Sequence, residues 1–85
     1  MAGNVMSELV LYTTVGCHLC EQALRRVTDV GGSCVTVEIA DDETLLARYG
    51  VRIPVLLRPD CGVELDWPFD AAAVRRLRAL PSSRG

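Results

Sequence analysis

The sequence predicts a single α/β domain in which helices flank a four-stranded mixed sheet, in the element order βαβαββα. Short apolar or alternating runs, which are typical of strands, are separated by segments whose apolar residues recur at helical spacing. Glycine, proline and aspartate cluster between these segments, where turns and helix caps favour them. A chain of 85 residues has room for one core. Residues 1–85 are therefore predicted to form one domain, with flexible ends at 1–7 and 82–85.

The first predicted unit is a buried strand that leads directly into a helix. Leu9-Val10-Leu11-Tyr12 is a short apolar run that ends before Gly16, as buried central strands do. The following helix is predicted to begin at Cys17 and to stop at Gly31-Gly32. Its inward stripe is predicted to consist of Cys20, Ala23/Leu24, Val27 and Val30.

A half-buried strand and a short helix are predicted next. Residues 33–39 alternate, with Val35, Val37 and Ile39 on the face predicted to be buried. Asp41 or Asp42 is expected to cap the second helix, and Gly50 to close it. The first strand, helix and second strand together predict a parallel crossover.

A hairpin and a third helix complete the predicted fold. Val55-Leu56-Leu57 and residues 63–66 flank a turn at Pro59-Asp60-Cys61-Gly62. Asp70 is expected to cap the last helix, which Pro81 ends. That helix is predicted to turn Val74, Leu77 and Leu80 inward and Arg75, Arg76 and Arg78 toward solvent.

Composition excludes several classes of function. The formal net charge is −2 and the chain contains no lysine, so it offers no basic field for nucleic acid. The start of the chain lacks the basic residues of a signal peptide, and no apolar run is long enough to span a membrane. We therefore expect a cytoplasmic protein, in which the four cysteines serve redox or metal chemistry rather than a static disulfide framework.

The strand-helix junction carries the chemistry of the sequence. A thiol at a helix N-terminus is stabilised as the thiolate by unpaired amides and the helix dipole, and Cys17 is predicted to occupy that place. Cys20 lies three residues further along the same helical face, within reach for a disulfide. We predict that Cys17 attacks a substrate disulfide and that Cys20 then resolves the mixed disulfide. A positive charge on His18 would favour the Cys17 thiolate.

Two other classes of function stay open from the residues alone. Cys17 and Cys20, with His18 or thiols of a partner, would form part of a zinc site or a shared iron-sulfur cluster. Against this metal-binding alternative, the chain lacks a second close cysteine pair. A redox-inert interaction domain is the remaining alternative. Cys34 and Cys61 lack a helix-terminal setting, and we assign them no catalytic role.

Three segments make the chain resemble the glutaredoxin-like proteins of the thioredoxin-fold superfamily, over roughly residues 8–80. Residues 11–20 resemble the strand and C-x-x-C motif of that family, residues 49–54 its proline loop, and residues 65–70 its third active-site segment. The resemblance implies a thioredoxin-like fold and a thiol-disulfide oxidoreductase with a redox-active Cys17-Cys20 centre, which transfers electrons in cell redox homeostasis.

The resemblance also implies roles for residues outside the cysteine motif. It implies a cis Ile53-Pro54 bond that faces the cysteines, with Pro54 and the free backbone groups of Ile53 positioning an extended substrate. Trp67 and Asp70 belong to the third active-site segment and are expected to contact the site. The lysine that usually precedes the motif is missing and Asp66-Trp67 replaces a glycine pair, so Arg52 is the candidate cation for a glutathione carboxylate.

The expected partners follow from this chemistry. The substrate is expected to be a disulfide-containing protein or a small thiol compound, and the electron donor glutathione or a thioredoxin-reductase-type enzyme. We expect no tightly bound cofactor, no metal, no nucleic acid and no membrane, and a monomeric protein.

Overall fold

The computed structural model describes residues 9–31 and 34–81, and its elements follow the predicted order βαβαββα. The predicted flexible ends, at 1–7 and 82–85, lie outside the described residues. No helix in the two described ranges is long and apolar enough to cross a membrane. The elements are β1 (Leu9–Thr13), α1 (His18–Val30), β2 (Cys34–Glu38), α2 (Glu43–Tyr49), β3 (Val55–Arg58), β4 (Val63–Asp66) and α3 (Ala71–Ala79).

The strands form one mixed sheet in the order β2-β1-β3-β4. β1 runs parallel to β2 and antiparallel to β3, and β3 runs antiparallel to β4. This topology places Thr13, Glu38, Val55 and Asp66 at the same end of the four strands, and we call this end of the sheet the Thr13 edge. The opposite end of the strands, which we call the Arg58 edge, holds Leu9, Cys34, Arg58 and Val63. Because α1 follows β1, α2 follows β2 and α3 follows β4, all three helices begin at the Thr13 edge.

Apolar side chains fill both faces of the sheet. The larger cluster lies under α1 and α3, where fully buried leucines from β1 and β3 meet the inward stripes of both helices. Each buried leucine of this kind contributes about 2 kcal/mol to folding through the water it excludes. The buried members of this cluster are Leu9, Leu11, Ala23, Val27, Leu56, Phe69, Val74 and Leu77. A smaller cluster around Ile39, Tyr49 and Val55 covers the face beside α2.

The structure differs from the predicted burial pattern at several side chains. Val35 was expected to be buried but is largely exposed, because β2 is an edge strand that only β1 pairs. Cys34 packs against the larger cluster instead of facing solvent. Leu24 lies at the margin of the α1 stripe and is exposed, whereas Ala23 is buried. Arg78, expected to face water, is half-buried.

Side-chain caps fix where the helices begin, as predicted. Asp42 accepts a hydrogen bond from the Leu45 amide at 3.1 Å and so caps α2, and Asp70 accepts one from the Ala73 amide at 2.8 Å and caps α3. Each cap satisfies an amide that has no partner within its helix. α1 ends at Gly31, whose φ of 90° lies in the left-handed region that glycine adopts at little cost.

A buried arginine, which sequence reasoning missed, closes the Arg58 edge. The Arg58 guanidinium donates to the carbonyls of Leu77 at 2.9 Å and Arg78 at 3.1 Å, and also to the carbonyl of Leu80. It forms a two-pronged ion pair with Asp60 in the hairpin turn, with bonds of 2.8 and 3.1 Å. One side chain therefore joins β3, the hairpin turn and the C-terminal end of α3.

Candidate active site

The Cys17 side chain is part of the start of α1. Its sulfur accepts a hydrogen bond from the Cys20 amide at 3.1 Å, so a cysteine stands where serine or aspartate usually caps a helix. The Cys17 backbone is extended, with φ −89° and ψ 107°. An N–H donor and the positive end of the helix dipole both favour negative charge on the Cys17 sulfur.

Cys17 and Cys20 lie together but differ in exposure. Their sulfur atoms are at disulfide distance, with the two Cα atoms 5.2 Å apart. Cys20 is only 3% exposed, whereas Cys17 is half-buried and its neighbours His18 and Leu19 are exposed. Cys17 is thus the sulfur that a molecule in solution can approach, and Cys20 is the sulfur held behind it.

Glu38 anchors the loop that precedes Cys17, a role that the alternating pattern of β2 did not reveal. Its carboxylate accepts hydrogen bonds from the Val15 amide at 3.0 Å and the Ala40 amide at 2.8 Å. Hydrogen bonds from Ala40, from the Thr14 hydroxyl and from Val15 lower the pKa of Glu38 because they stabilise its ionised form. Glu38 therefore joins the end of β2 to the loop before Cys17.

The predicted proline loop lies at the same edge of the sheet. Ile53-Pro54 is cis, as the resemblance implied, and Pro54 is buried. Pro54 directly precedes Val55, which pairs with Tyr12 near the end of β1, the strand that leads to Cys17. The Ile53 amide donates to the Tyr49 carbonyl at 3.0 Å. This bond corrects the expectation that the backbone groups of Ile53 are free, since the N–H is already used within the loop.

Arg52 belongs to an ion-pair network beside this loop. Its guanidinium donates to Glu64 at 2.8 Å and to Asp66 at 2.8 and 3.2 Å, and its carbon lies 5.3 Å from the centre of the Tyr49 ring. Hydrogen bonds to Glu64 and Asp66 raise the pKa of Arg52. The candidate cation for a glutathione carboxylate is thus engaged by two carboxylates of the protein.

Tyr49 connects this network to the sheet. Its hydroxyl donates to Glu64 at 2.7 Å, and its ring stacks on Tyr12 of β1 with 4.2 Å between the ring centres. Burial, together with the bond to Glu64, raises the pKa of Tyr49 to about 12. Hydrogen bonds from Arg52 and Tyr49 lower the pKa of Glu64. The proline loop is therefore tied through Glu64 to β4 and through Tyr12 to β1.

The third predicted segment leads from β4 into α3. Trp67 packs edge-to-face on Phe69, with ring centres 5.1 Å apart, and the guanidinium of Arg26 lies 5.9 Å from the Trp67 ring centre. Trp67-Pro68 is a second cis bond, which the sequence did not predict. Asp70 acts as the cap of α3. Trp67 is thus packed on the larger core cluster, and both residues follow the end of β4 at the Thr13 edge.

The remaining cysteines lie away from the motif. Cys34 pairs with Leu9 at the Arg58 edge, and Cys61 is in the hairpin turn after Arg58. Within residues 9–31 and 34–81, no group of three or more histidine, cysteine or acidic side chains is arranged to hold a metal ion. Cys17 and Cys20 are the two cysteines whose sulfur atoms lie at disulfide distance at the start of α1.

Comparisons with known proteins agree with this geometry. A family model described as "Glutaredoxin-like domain (DUF836)" matches residues 8–77. The solved structure of a structural genomics target from X. campestris is 45% identical and has a TM-score of 0.77, over 86% of this chain and 99% of that one. Protein Ne2328 from Nitrosomonas europaea is 26% identical with a TM-score of 0.75, over 93% of this chain and 100% of that one. The search of curated proteins found no match.

Proposed function

Since the chain belongs to the glutaredoxin-like domain (DUF836) family, we propose that it is a thiol-disulfide oxidoreductase that cycles Cys17 and Cys20 between dithiol and disulfide. Its cellular role would be redox homeostasis. One observation carries the proposal: two cysteine sulfurs at disulfide distance, the outer one capping a helix and the inner one buried. A structural disulfide does not need an outer sulfur that a helix start favours as thiolate, whereas a nucleophile does.

In the first step the Cys17 thiolate attacks one sulfur of a substrate disulfide. A bond forms between the Cys17 sulfur and that sulfur, the substrate bond breaks, and the other substrate sulfur leaves as a thiolate that takes up a proton. The Cys20 amide and the start of α1 supply the N–H groups that favour the attacking thiolate. The half-buried position of Cys17 leaves it open to this approach.

In the second step Cys20 resolves the mixed disulfide. Its thiolate attacks the Cys17 sulfur, the Cys17-Cys20 disulfide forms, and the second substrate thiol is released with a proton. The substrate disulfide thus gains two electrons and the protein dithiol loses two. The 5.2 Å between the Cα atoms lies within the range that a disulfide requires. Because Cys20 is buried, it meets the Cys17 sulfur rather than the substrate.

The proline loop supports binding of an extended substrate in this proposal. Pro54 directly precedes Val55, which pairs with Tyr12 on the strand that leads to Cys17. Ile53 and Pro54 are therefore the proposed substrate-positioning residues, with the Ile53 carbonyl as the group that would accept a hydrogen bond from the substrate backbone. The proposed electron donor, which returns the disulfide to the dithiol, is glutathione or a reductase of the thioredoxin-reductase type.

The proposal is tested by equilibrating the protein in glutathione buffers of graded ratio and trapping free thiols by alkylation. We expect the wild type to gain one reversible Cys17-Cys20 disulfide as the buffer becomes more oxidising. Cys20→Ser should accumulate a mixed disulfide at Cys17, and Cys17→Ser should lose the reaction with disulfide substrates. Absence of a reversible Cys17-Cys20 disulfide at every ratio would overturn the proposal.

Cys61→Ser is the matched control for this experiment. It removes one thiol at the Arg58 edge and leaves the helix start unchanged. The same midpoint as wild type is expected. Metal analysis of protein purified without oxygen tests the zinc or iron-sulfur alternative, since bound metal lost in both Cys17→Ser and Cys20→Ser would favour that class of function.

A further inference from the structure

The charges of the protein are divided between the two edges of the sheet. Acidic residues collect at the Thr13 edge, where the helices begin and where Cys17 lies. Most of them are exposed, and Asp66 keeps 64% of its side chain in solvent even though it contacts Arg52. The acidic residues of this edge, which we call the acidic rim, are Glu21, Glu38, Asp41, Asp42, Glu43, Asp66 and Asp70.

Most of the positive charge lies elsewhere. Arg75, Arg76 and Arg78 occupy the second half of α3, whose end is bound by Arg58 at the opposite edge. At the Thr13 edge the guanidinium groups are those of Arg52, which serves Glu64 and Asp66, and of Arg26 and Arg48, which lie against the Trp67 and Tyr49 rings, so the seven rim carboxylates outnumber them. An ion that approaches Cys17 therefore meets a negative local field, which repels anions and attracts cations over about 10 Å at moderate salt.

Exposed apolar side chains lie in the loops at the same edge. Val15 is 89% exposed in the loop before Cys17, Leu19 is 46% exposed inside the motif, and Val51 is fully exposed in the proline loop. Exposed apolar side chains together with charged ones are the usual composition of a surface that binds another polypeptide. Small anionic thiols such as glutathione would gain little from these side chains and would be opposed by the rim, so of the two proposed electron donors this inference favours the reductase.

We propose that the Cys17 site selects disulfides carried on basic polypeptide segments and discriminates against anionic disulfides, glutathione disulfide included. This inference rests on the proposed oxidoreductase function and assigns its substrate class. The acidic rim attracts arginine and lysine side chains that flank the substrate disulfide, and Val15, Leu19 and Val51 contact the segment between them.

The test uses three disulfide-linked peptide dimers that differ only in their flanking residues, which are arginine, glutamine or glutamate. Pre-reduced protein is mixed with each dimer, and released thiol is alkylated and quantified over time. Each rate is divided by the rate of the same peptide with dithiothreitol, which removes the effect of flanking charge on sulfur reactivity. We expect the arginine dimer to react at least ~10-fold faster than the glutamate dimer at low salt, with the ratio approaching one at ~0.5 M salt.

Two double variants test whether the acidic rim causes the preference for the arginine dimer. Asp41→Asn/Asp66→Asn removes two rim charges and is expected to lower the arginine-to-glutamate ratio about threefold. Arg75→Gln/Arg76→Gln changes two charges at the other end of α3, and its ratio should match that of wild type. A ratio near one in the wild type, a faster glutamate dimer, or equal effects of the two variants would overturn the inference.

Reaction with the uncharged glutamine dimer tests the oxidoreductase function independently of the charge preference. Reduction of the glutamine dimer without any charge preference would overturn the substrate class and leave the oxidoreductase function standing. No reaction with any dimer would overturn both. Glutathione disulfide, run in parallel, should react more slowly than the glutamine dimer after the same normalisation.

Discussion

The two edges of the sheet are held by opposite chemistry. At the Thr13 edge, Cys17, Asp42 and Asp70 accept hydrogen bonds from the amides of helix starts, and Glu38 accepts them from neighbouring loops. At the Arg58 edge, one guanidinium donates to the carbonyls at the end of α3. Hydrogen-bond acceptors thus complete one edge and a cationic donor completes the other.

This difference follows from the direction of the helices. All three begin at the Thr13 edge, so unpaired N–H groups collect there, and unpaired carbonyls of α3 collect at the Arg58 edge. Carboxylates accept hydrogen bonds from these N–H groups at α2 and α3, and the Cys17 sulfur accepts one at α1. The same arrangement that stabilises the fold therefore supplies the proposed nucleophile and surrounds it with negative charge.

The largest effect on stability is expected from Arg58→Met at the Arg58 edge. Arg58 is 6% exposed, and methionine of similar length would remove the hydrogen bonds that Arg58 donates to the α3 carbonyls and to Asp60. We expect Tm to fall by about 10 °C, measured by thermal unfolding. The Cys17-Cys20 redox midpoint should stay at the wild-type value below that temperature, because the site lies at the other edge.

Arg75→Met is the matched control for that change. Arg75 is exposed on α3, so the same substitution removes a charge without removing a structural contact. Its Tm is expected to stay near that of wild type. Equal losses in Arg58→Met and Arg75→Met would show that charge, and not the bonds of Arg58, closes this edge.

A smaller loss is expected from Asp70→Ala at the Thr13 edge. The substitution removes the bond from the Ala73 amide but leaves that amide at an exposed helix start, where water can replace the carboxylate. We expect a cost of about 1 kcal/mol in the free energy of unfolding, measured in urea. Asp70→Ser should recover most of it. A loss as large as that of Arg58→Met would contradict the contrast between the edges.

Much of the fold could be predicted because local signals coincide with the final structure. Asp42 and Asp70 cap helices where the spacing placed them, and Gly31 ends α1. Burial in β2 could not be predicted from alternation alone, since β2 is an outer strand of the sheet and its Val35 is left exposed. Strand order is a property of the whole chain, and no window of β2 contains it.

The candidate site likewise contains residues that could be predicted from the sequence and residues that could not. Cys17 at a helix start and the buried Cys20 follow from a short stretch of sequence, and the structure brings them together as expected. Glu38 and Arg52 act through partners 14 or more residues away, at Val15 and at Asp66. Their residue types suggest only a solvated strand and a free cation. Long-range pairing of polar groups leaves no periodic signal, so this part of the site needed the structure.

The smallest effect, present near neutral pH and lost in acid, is expected from Glu38→Gln. Because its hydrogen bonds hold the pKa of Glu38 below the usual 4.5, the ionised carboxylate stabilises the fold above pH 4.5, and this contribution is lost as pH falls through the lowered pKa. Wild type should therefore exceed Glu38→Gln in Tm near neutral pH, and the gap should narrow below pH 4.5. The Arg58 guanidinium stays charged throughout that range, so the Thr13 edge should weaken first.

Asp29→Asn is the control for this prediction. It removes an exposed carboxylate at the end of α1 and should not lower Tm at neutral pH. A gap that stays constant with pH would mean that Glu38 holds the Val15 loop by shape and not by charge.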